Sequence, residues 1–147
     1  MKDVTSQMCR TVSHRYPCDL TSPSQARDFT TRELGHSLRA IEEAEEFIDR
    51  AVLVVSELMT NAVNAQCHTT TLTIVIHSDR VRVAVHDDAT GRPVMQHAAP
   101  ADDHGRGLQI VRSVTPSWGV DYDQVGKEVW AEISLPDRLH AADRCTA

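Results

Sequence analysis

Apolar and polar positions alternate along this chain in two rhythms, and the change from one to the other marks its elements. Between Arg50 and Asn64 the rhythm is helical. At 3.6 residues per turn Glu57, Asn61 and Asn64 share one narrow stripe, with Arg50 and Leu53 beside them. Val52, Val55, Met59, Ala62 and Val63 fall on the opposite arc. One face is thus expected to pack on a sheet while the other presents a carboxylate and two amides. The predicted helix runs from about 46 to 66, and the acidic patch Glu42-Glu43-Ala44-Glu45-Glu46 sets negative charge near its positive dipole end. An earlier helix, from about 23 to 39, opens on Thr21-Ser22-Pro23, an N-cap followed by proline at the first helical position. Ala26, Phe29, Leu34 and Leu38 form its ragged apolar face.

Elsewhere the period is two. Arg10–Tyr16 leans to strand, and Pro17 closes it. Residues 70–77 and 80–87 both alternate, with Ser78-Asp79 as the turn of a hairpin. Leu72, Ile74 and Ile76 point one way in the first strand; Val81, Val83 and Val85 share a face with Asp87 in the second. The strand that buries three valines therefore also delivers Asp87 to the buried side. A carboxylate there needs a partner, either a lysine or arginine of the chain or a ligand. Residues 88–104 read as a loop leading to Gly105-Arg106-Gly107 and a short helix over 108–114. Two more strands, about 117–123 and 127–135, flank a turn at Val125-Gly126. Residues 1–8 read as a flexible N-terminus and 137–147 as a tail, which leaves one domain over 9–136. The fold class is α/β: a two-layer sandwich whose mixed, mostly antiparallel sheet carries helices on one face.

Length and composition add limits. The 147 residues suffice for one real core, with 41% hydrophobic and 24% charged positions. A net charge of −6 argues against nucleic acid as the main ligand. Cys9, Cys18, Cys67 and Cys145 form no C-x-x-C pair and lack zinc spacing, so free thiols in a reducing cytosol are expected. No signal-like apolar run opens the chain and no segment reaches membrane-span length, so a cytoplasmic protein is expected. His77 and His86 fall on neighbouring strands, opposite in parity to Asp87, and read as surface histidines rather than a zinc site. Trp130 shares that face with Arg82, where an exposed tryptophan marks a protein contact.

The chemistry lies in three short stretches. On the first helix stripe, Glu57 and Asn61 offer oxygen ligands one turn apart, which suits a hard divalent cation bound with substrate phosphates; a merely solvated stripe has the same spacing. Gly105-Arg106-Gly107-Leu108 places glycines just before a helix, where backbone N–H groups can meet a phosphate. No Walker A motif is present, since Gly126-Lys127 is followed by Glu128, and no H-R-D or D-F-G occurs. The order of the boxes is specific: Glu57-x-x-x-Asn61, then Asp87-Asp88-Ala89-Thr90-Gly91, then Gly105-x-Gly107-Leu108.

In that order the chain resembles the histidine-kinase-like ATPase superfamily, and within it the bacterial anti-sigma-factor serine/threonine kinases. Leu53–Val63, Gly105–Val111, Trp118-Gly119-Val120 and Gly126–Glu132 carry the likeness. The resemblance implies ATP and Mg²⁺ as cofactors. It implies that Glu57 polarises the attacking hydroxyl or water, that Asn61 ligates Mg²⁺, and that Asp87 accepts the adenine amino group. Gly91 would support the adenine loop, Gly105 and Gly107 would lie against the phosphates with Leu108 behind them, and Arg106 would add a cation. Three positions depart from the family pattern. Ala89 replaces a glycine, Asn64-Ala65-Gln66 replaces basic residues, and Lys127-Glu128 stands where a threonine is usual. By parity Lys127 points toward the pocket and Glu128 away. The implied partners are a sigma factor and a small antagonist protein phosphorylated on serine, with no direct nucleic acid or membrane and with a homodimer left open. The alternative is a nucleotide-sensing or protein-binding module that keeps the fold without phosphotransfer.

Overall fold

The computed structural model describes residues 10–38, 43–89 and 117–136. In chain order they form β1 (Arg10–Pro17), α1 (Ser22–Leu38), α2 (Ala44–Asn64), β2 (Thr69–Ile76), β3 (Arg80–Asp87), β4 (Ser117–Tyr122) and β5 (Lys127–Ser134). The strands make one sheet in the order β1-β2-β3-β5-β4. Every neighbouring pair is antiparallel, so the expected mixed sheet is antiparallel throughout among the described strands. The reason is connectivity: β2–β3 and β4–β5 are hairpins, which return the chain in the opposite sense. The α/β sandwich itself is as expected, with α2 packed over β3 and touching β5, and α1 against α2 and the β1 end.

Helix α1 begins one residue earlier than its proline suggests. The Thr21 carbonyl accepts the Gln25 N–H at 3.2 Å, which makes Thr21 the cap and puts Pro23 second. Asp19 braces this start by accepting the Thr21 hydroxyl at 2.6 Å and its N–H at 2.9 Å. Those two bonds, the hydroxyl's first, hold its carboxyl below the usual value. Helix α2 runs two residues earlier at each end than expected. Gln66, in the left-handed region at φ 64°, turns the chain out of it.

The buried arc of α2 is Phe47, Ala51, Val54, Val55, Leu58, Met59 and Ala62. Val52 and Val63, expected on that arc, are only half-buried. The arc is thus rotated toward the Glu57–Asn61 stripe, which flanks the core instead of facing away from it. The arc meets the inner sheet face, where Leu72, Ile74, Ile76, Val81, Val83, Val85, Val129, Ala131 and Ile133 are buried as their parity requires.

Two further expectations need correction. Cys18 and Cys67 are joined by a disulfide, with Cα atoms 5.6 Å apart, and are not free thiols. The pairing of Pro17 with Thr69 closes the β1–β2 ladder, and the Cys18 N–H donates to the His68 carbonyl at 3.0 Å. Strand register thereby brings together two residues 49 positions apart in sequence. Cys9 and Cys145 lie outside the described residues. His77 is buried at the β2–β3 turn, its N–H on the Arg80 carbonyl, whereas His86 sits opposite Thr71 at the far end of the hairpin. The two histidines are neighbours in strand but not in space. No helix of the described residues is long and apolar enough to cross a membrane.

Candidate functional site

The inner sheet face is apolar row after row, except at one end. There register aligns Tyr16 with Thr70, Thr70 with Asp87, Asp87 with Lys127 and Lys127 with Tyr122. Four of these five side chains are buried, Tyr122 being exposed. Thr70 spends its hydroxyl hydrogen on the His86 carbonyl at 3.0 Å. Burial raises the Tyr16 pKa, an effect that nearby Arg32 opposes and Asp28 reinforces.

The centre of the row is an ion pair. Lys127 Nζ donates to Asp87 Oδ2 at 2.5 Å, and both side chains are 1% exposed. The other carboxylate oxygen, Oδ1, accepts the Ala89 N–H at 3.0 Å. Both inward directions agree with strand parity, and the charged partner that Asp87 requires is supplied by the chain itself. Gly126 makes the approach possible. A Cβ there would collide with the Asp87 carbonyl oxygen and lie 2.9 Å from both Asp87 C and Asp88 Cα. Ala89 is no obstacle: among the described residues Gln66 is the only non-glycine with positive φ, and the alanine methyl is buried in the core.

Asp88, next along, ties the site to the end of α2. Its Oδ1 accepts the His68 N–H at 2.7 Å and the Thr69 N–H at 3.2 Å. Burial is the largest single influence and works to raise this carboxyl, but the backbone N–H bonds of His68, Thr69 and Asp88 and the neighbouring His68 together outweigh it, and its pKa lies below the usual value. The disulfide fastens the same connection from the other side through Cys67. Glu57 and Asn61 stand half-buried on α2, the helix that covers β3. Their oxygen donors, one turn apart at the core's margin, fit a Mg²⁺ that keeps most of its ligands from water and phosphate. Asn64, on the same stripe, is exposed. Arg27 reaches from α1 to the Ser56 hydroxyl at 3.2 Å, which fixes the helix pair beside this stripe. Gly91, Gly105, Arg106, Gly107, Leu108 and the helix expected over 108–114 lie outside the described residues.

The opposite sheet face carries Trp130, half-buried rather than exposed. Its ring lies over Gly119, whose added Cβ would stand 2.7 Å from it, and under the Arg82 guanidinium at 5.1 Å. Arg82 also pairs with Glu128 at 3.5 Å, and Arg80 with Glu132 at 3.5 Å. His86 shares a hydrogen bond of 3.0 Å with Asp123. Asp123 also accepts the N–H groups of Gly126 and Val125, which hold its carboxyl low and shape the β4–β5 turn.

With this geometry in view, comparison with known proteins places the chain. The family model described as the histidine kinase-like ATPase domain matches residues 16–133. The chain belongs to that family. No curated protein sequence matches this ATPase-family domain. Among solved structures it is similar to the RsbU and RsbW domains of Rv1364c from Mycobacterium tuberculosis, at 14% identity and a TM-score of 0.54. That match covers 86% of this chain and 33% of the other, so the likeness is one of fold and spans about a third of the larger protein.

Sequence reasoning missed the disulfide, the Asp88 brace and the place of Thr70 beside Asp87. None has a local signal, since each depends on which strands pair and in what register. The inward parity of Lys127 was the one clue to its ion pair.

Proposed function

We propose that this ATPase-family domain binds ATP with Mg²⁺ and acts in the cytoplasm as a regulatory serine/threonine kinase of the anti-sigma-factor type. The observation that carries this reading is Asp87: a buried carboxylate at the end of β3, beneath the helix that bears Glu57 and Asn61. Asp87 would accept the adenine amino group, with Lys127 beside it, and Asn61 would hold Mg²⁺. The metal, when bound, neutralises phosphate charge. Glu57 would take the proton from a substrate serine hydroxyl as that oxygen bonds to the γ-phosphorus and the bond to the bridging oxygen breaks to release ADP, so the chain's own work is positioning and proton removal. Gly91, Gly105, Arg106, Gly107 and Leu108 complete the proposed nucleotide contacts through the family pattern. The partners would be a sigma factor and a small antagonist protein carrying the target serine.

The Lys127–Asp87 ion pair favours a second reading, a nucleotide-sensing or protein-binding module without phosphotransfer, because a base must share a carboxylate that already has a counter-ion. Incubation with labelled ATP, Mg²⁺ and a panel of candidate antagonist proteins separates the two. Label on an antagonist serine supports the kinase; nucleotide binding with no transfer to any of them supports the second reading.

A further inference from the structure

We infer that the Cys18–Cys67 disulfide is a redox switch on the nucleotide site: closed, it holds the last turn of α2 and Asn61 in place, and opened by a dithiol it loosens that turn and weakens Mg-ATP binding. The inference rests on the nucleotide-binding reading above and concerns how that binding is regulated.

Residues 65–68 connect α2 to β2. On the β2 side they are held without the disulfide. Asp88 Oδ1 accepts the His68 and Thr69 N–H groups at 2.7 and 3.2 Å, the His68 carbonyl accepts the Cys18 N–H at 3.0 Å, and Thr69 pairs with Pro17 in the ladder. The helix side is tied differently. Gln66, at φ 64°, takes the chain out of the helix, and the Ala65 N–H bonds back to the Asn61 and Ala62 carbonyls at 3.1 Å each. Between that turn and the Asp88 grip stands Cys67, bound covalently to a residue 49 positions away. The bond thus fastens the turn that carries Asn61, the residue assigned to Mg²⁺.

The two sulfurs are unequally accessible. Cys18 is half-buried, whereas Cys67 is 8% exposed. A thiolate of an external dithiol therefore attacks Cys18 Sγ; the S–S electron pair leaves on Cys67 Sγ, which takes up a proton. The second thiolate of the reductant then attacks its own sulfur in the mixed disulfide and releases Cys18, which is protonated in turn. The protein gains two electrons and two protons, and the dithiol ends as a disulfide. Exchange in the reverse direction with a disulfide closes the link again. In the reducing compartment proposed above, disulfides are characteristically transient and responsive.

Opening exchanges a strong tie for a weak one. As a disulfide, Cys18 Sγ has no hydrogen to give the Ala62 carbonyl 3.5 Å away; as a thiol it is only a weak donor to that oxygen. Asp88 and the β1–β2 ladder remain, so the response is local fraying at the end of α2 rather than loss of the fold.

Calorimetry of Mg-ATP binding to the oxidised protein and to the protein reduced with dithiothreitol provides the test. Reduction is expected to weaken binding by about five- to a hundredfold, the usual range for coupled sites. By linkage, Mg-ATP should raise the ratio of reduced to oxidised dithiothreitol needed to open half the molecules. Cys18→Ser/Cys67→Ser is expected to bind like the reduced wild type and to ignore the reductant; circular dichroism verifies folding, and if this variant is unfolded the wild-type comparison decides alone. Equal affinity in the two redox states, or the same reductant effect in the double variant, overturns the inference and leaves the nucleotide-binding reading standing. Global unfolding of the reduced wild type also overturns it, since the bond would then be a staple of the whole fold. Binding of Mg-ATP by neither form overturns both readings.

Discussion

A lysine and an aspartate that are each 1% exposed hold one another in place because neither could be there alone. Removing one partner strands the other charge. Asp87→Ala is therefore expected to lower stability by about 3–5 kcal/mol in urea denaturation. The double variant Asp87→Leu/Lys127→Met is expected to recover most of that loss, short only of the Ala89 N–H left without an acceptor. A double variant no more stable than the single one would mean that the pair itself is not what Asp87→Ala disrupts. Glu57 and Asn61 are separated by function instead. Asn61→Ala should weaken Mg-ATP binding and lower transfer together. Glu57→Gln should leave binding nearly intact and slow transfer by roughly 10²–10⁴, the range for one general base. Single-turnover transfer by Glu57→Gln at the wild-type rate would remove it from the chemistry.

At the scale of elements, the connection from α2 to β2 is the joint on which the site hangs. It is held covalently by Cys18–Cys67 and electrostatically by Asp88, which takes two of its backbone N–H groups. Reduction by a dithiol should destabilise the fold by about 2–4 kcal/mol, since the bond closes a long loop in the unfolded chain. A melting temperature indifferent to the reductant, with both thiols titrated, would show that the covalent link contributes nothing. The Asp88 contribution is pH-dependent with a definite sign. Its folded-state pKa lies below the ordinary 3.8, so the stabilisation is fully present above that value and is lost as pH falls through the folded pKa. Asp88→Asn should thus be less stable than wild type at neutral pH, and the gap should close in acid. A constant gap across the acid range would assign the effect to something other than this carboxylate's charge.

At the scale of the molecule, one polar row closes an apolar sandwich, and sequence and tertiary structure share the credit for it unequally. The periods along the chain determined the strands, the hairpins, the two helices and the inward side of Asp87 and Lys127. A side chain's face follows from position alone once the local conformation is known. The order Glu57, Asn61, Asp87 and the glycine stretch was likewise enough to point to the ATPase family. What periodicity does not contain is which strand lies beside which. The β3–β5 pairing joins segments separated by a long stretch of chain, and only it turns two inward charges into one ion pair. The β1–β2 pairing likewise makes a disulfide of two distant cysteines. It also took neighbours in space to lay Trp130 across Gly119 beneath Arg82, where parity alone suggested an exposed ring. Helix rotation was decided the same way. The shape of the sheet beneath α2 selected Val54 and Leu58 for burial and drew Glu57 and Asn61 to the margin of the core. Local sequence sets what each element can offer, and long-range packing chooses which of those offers meet.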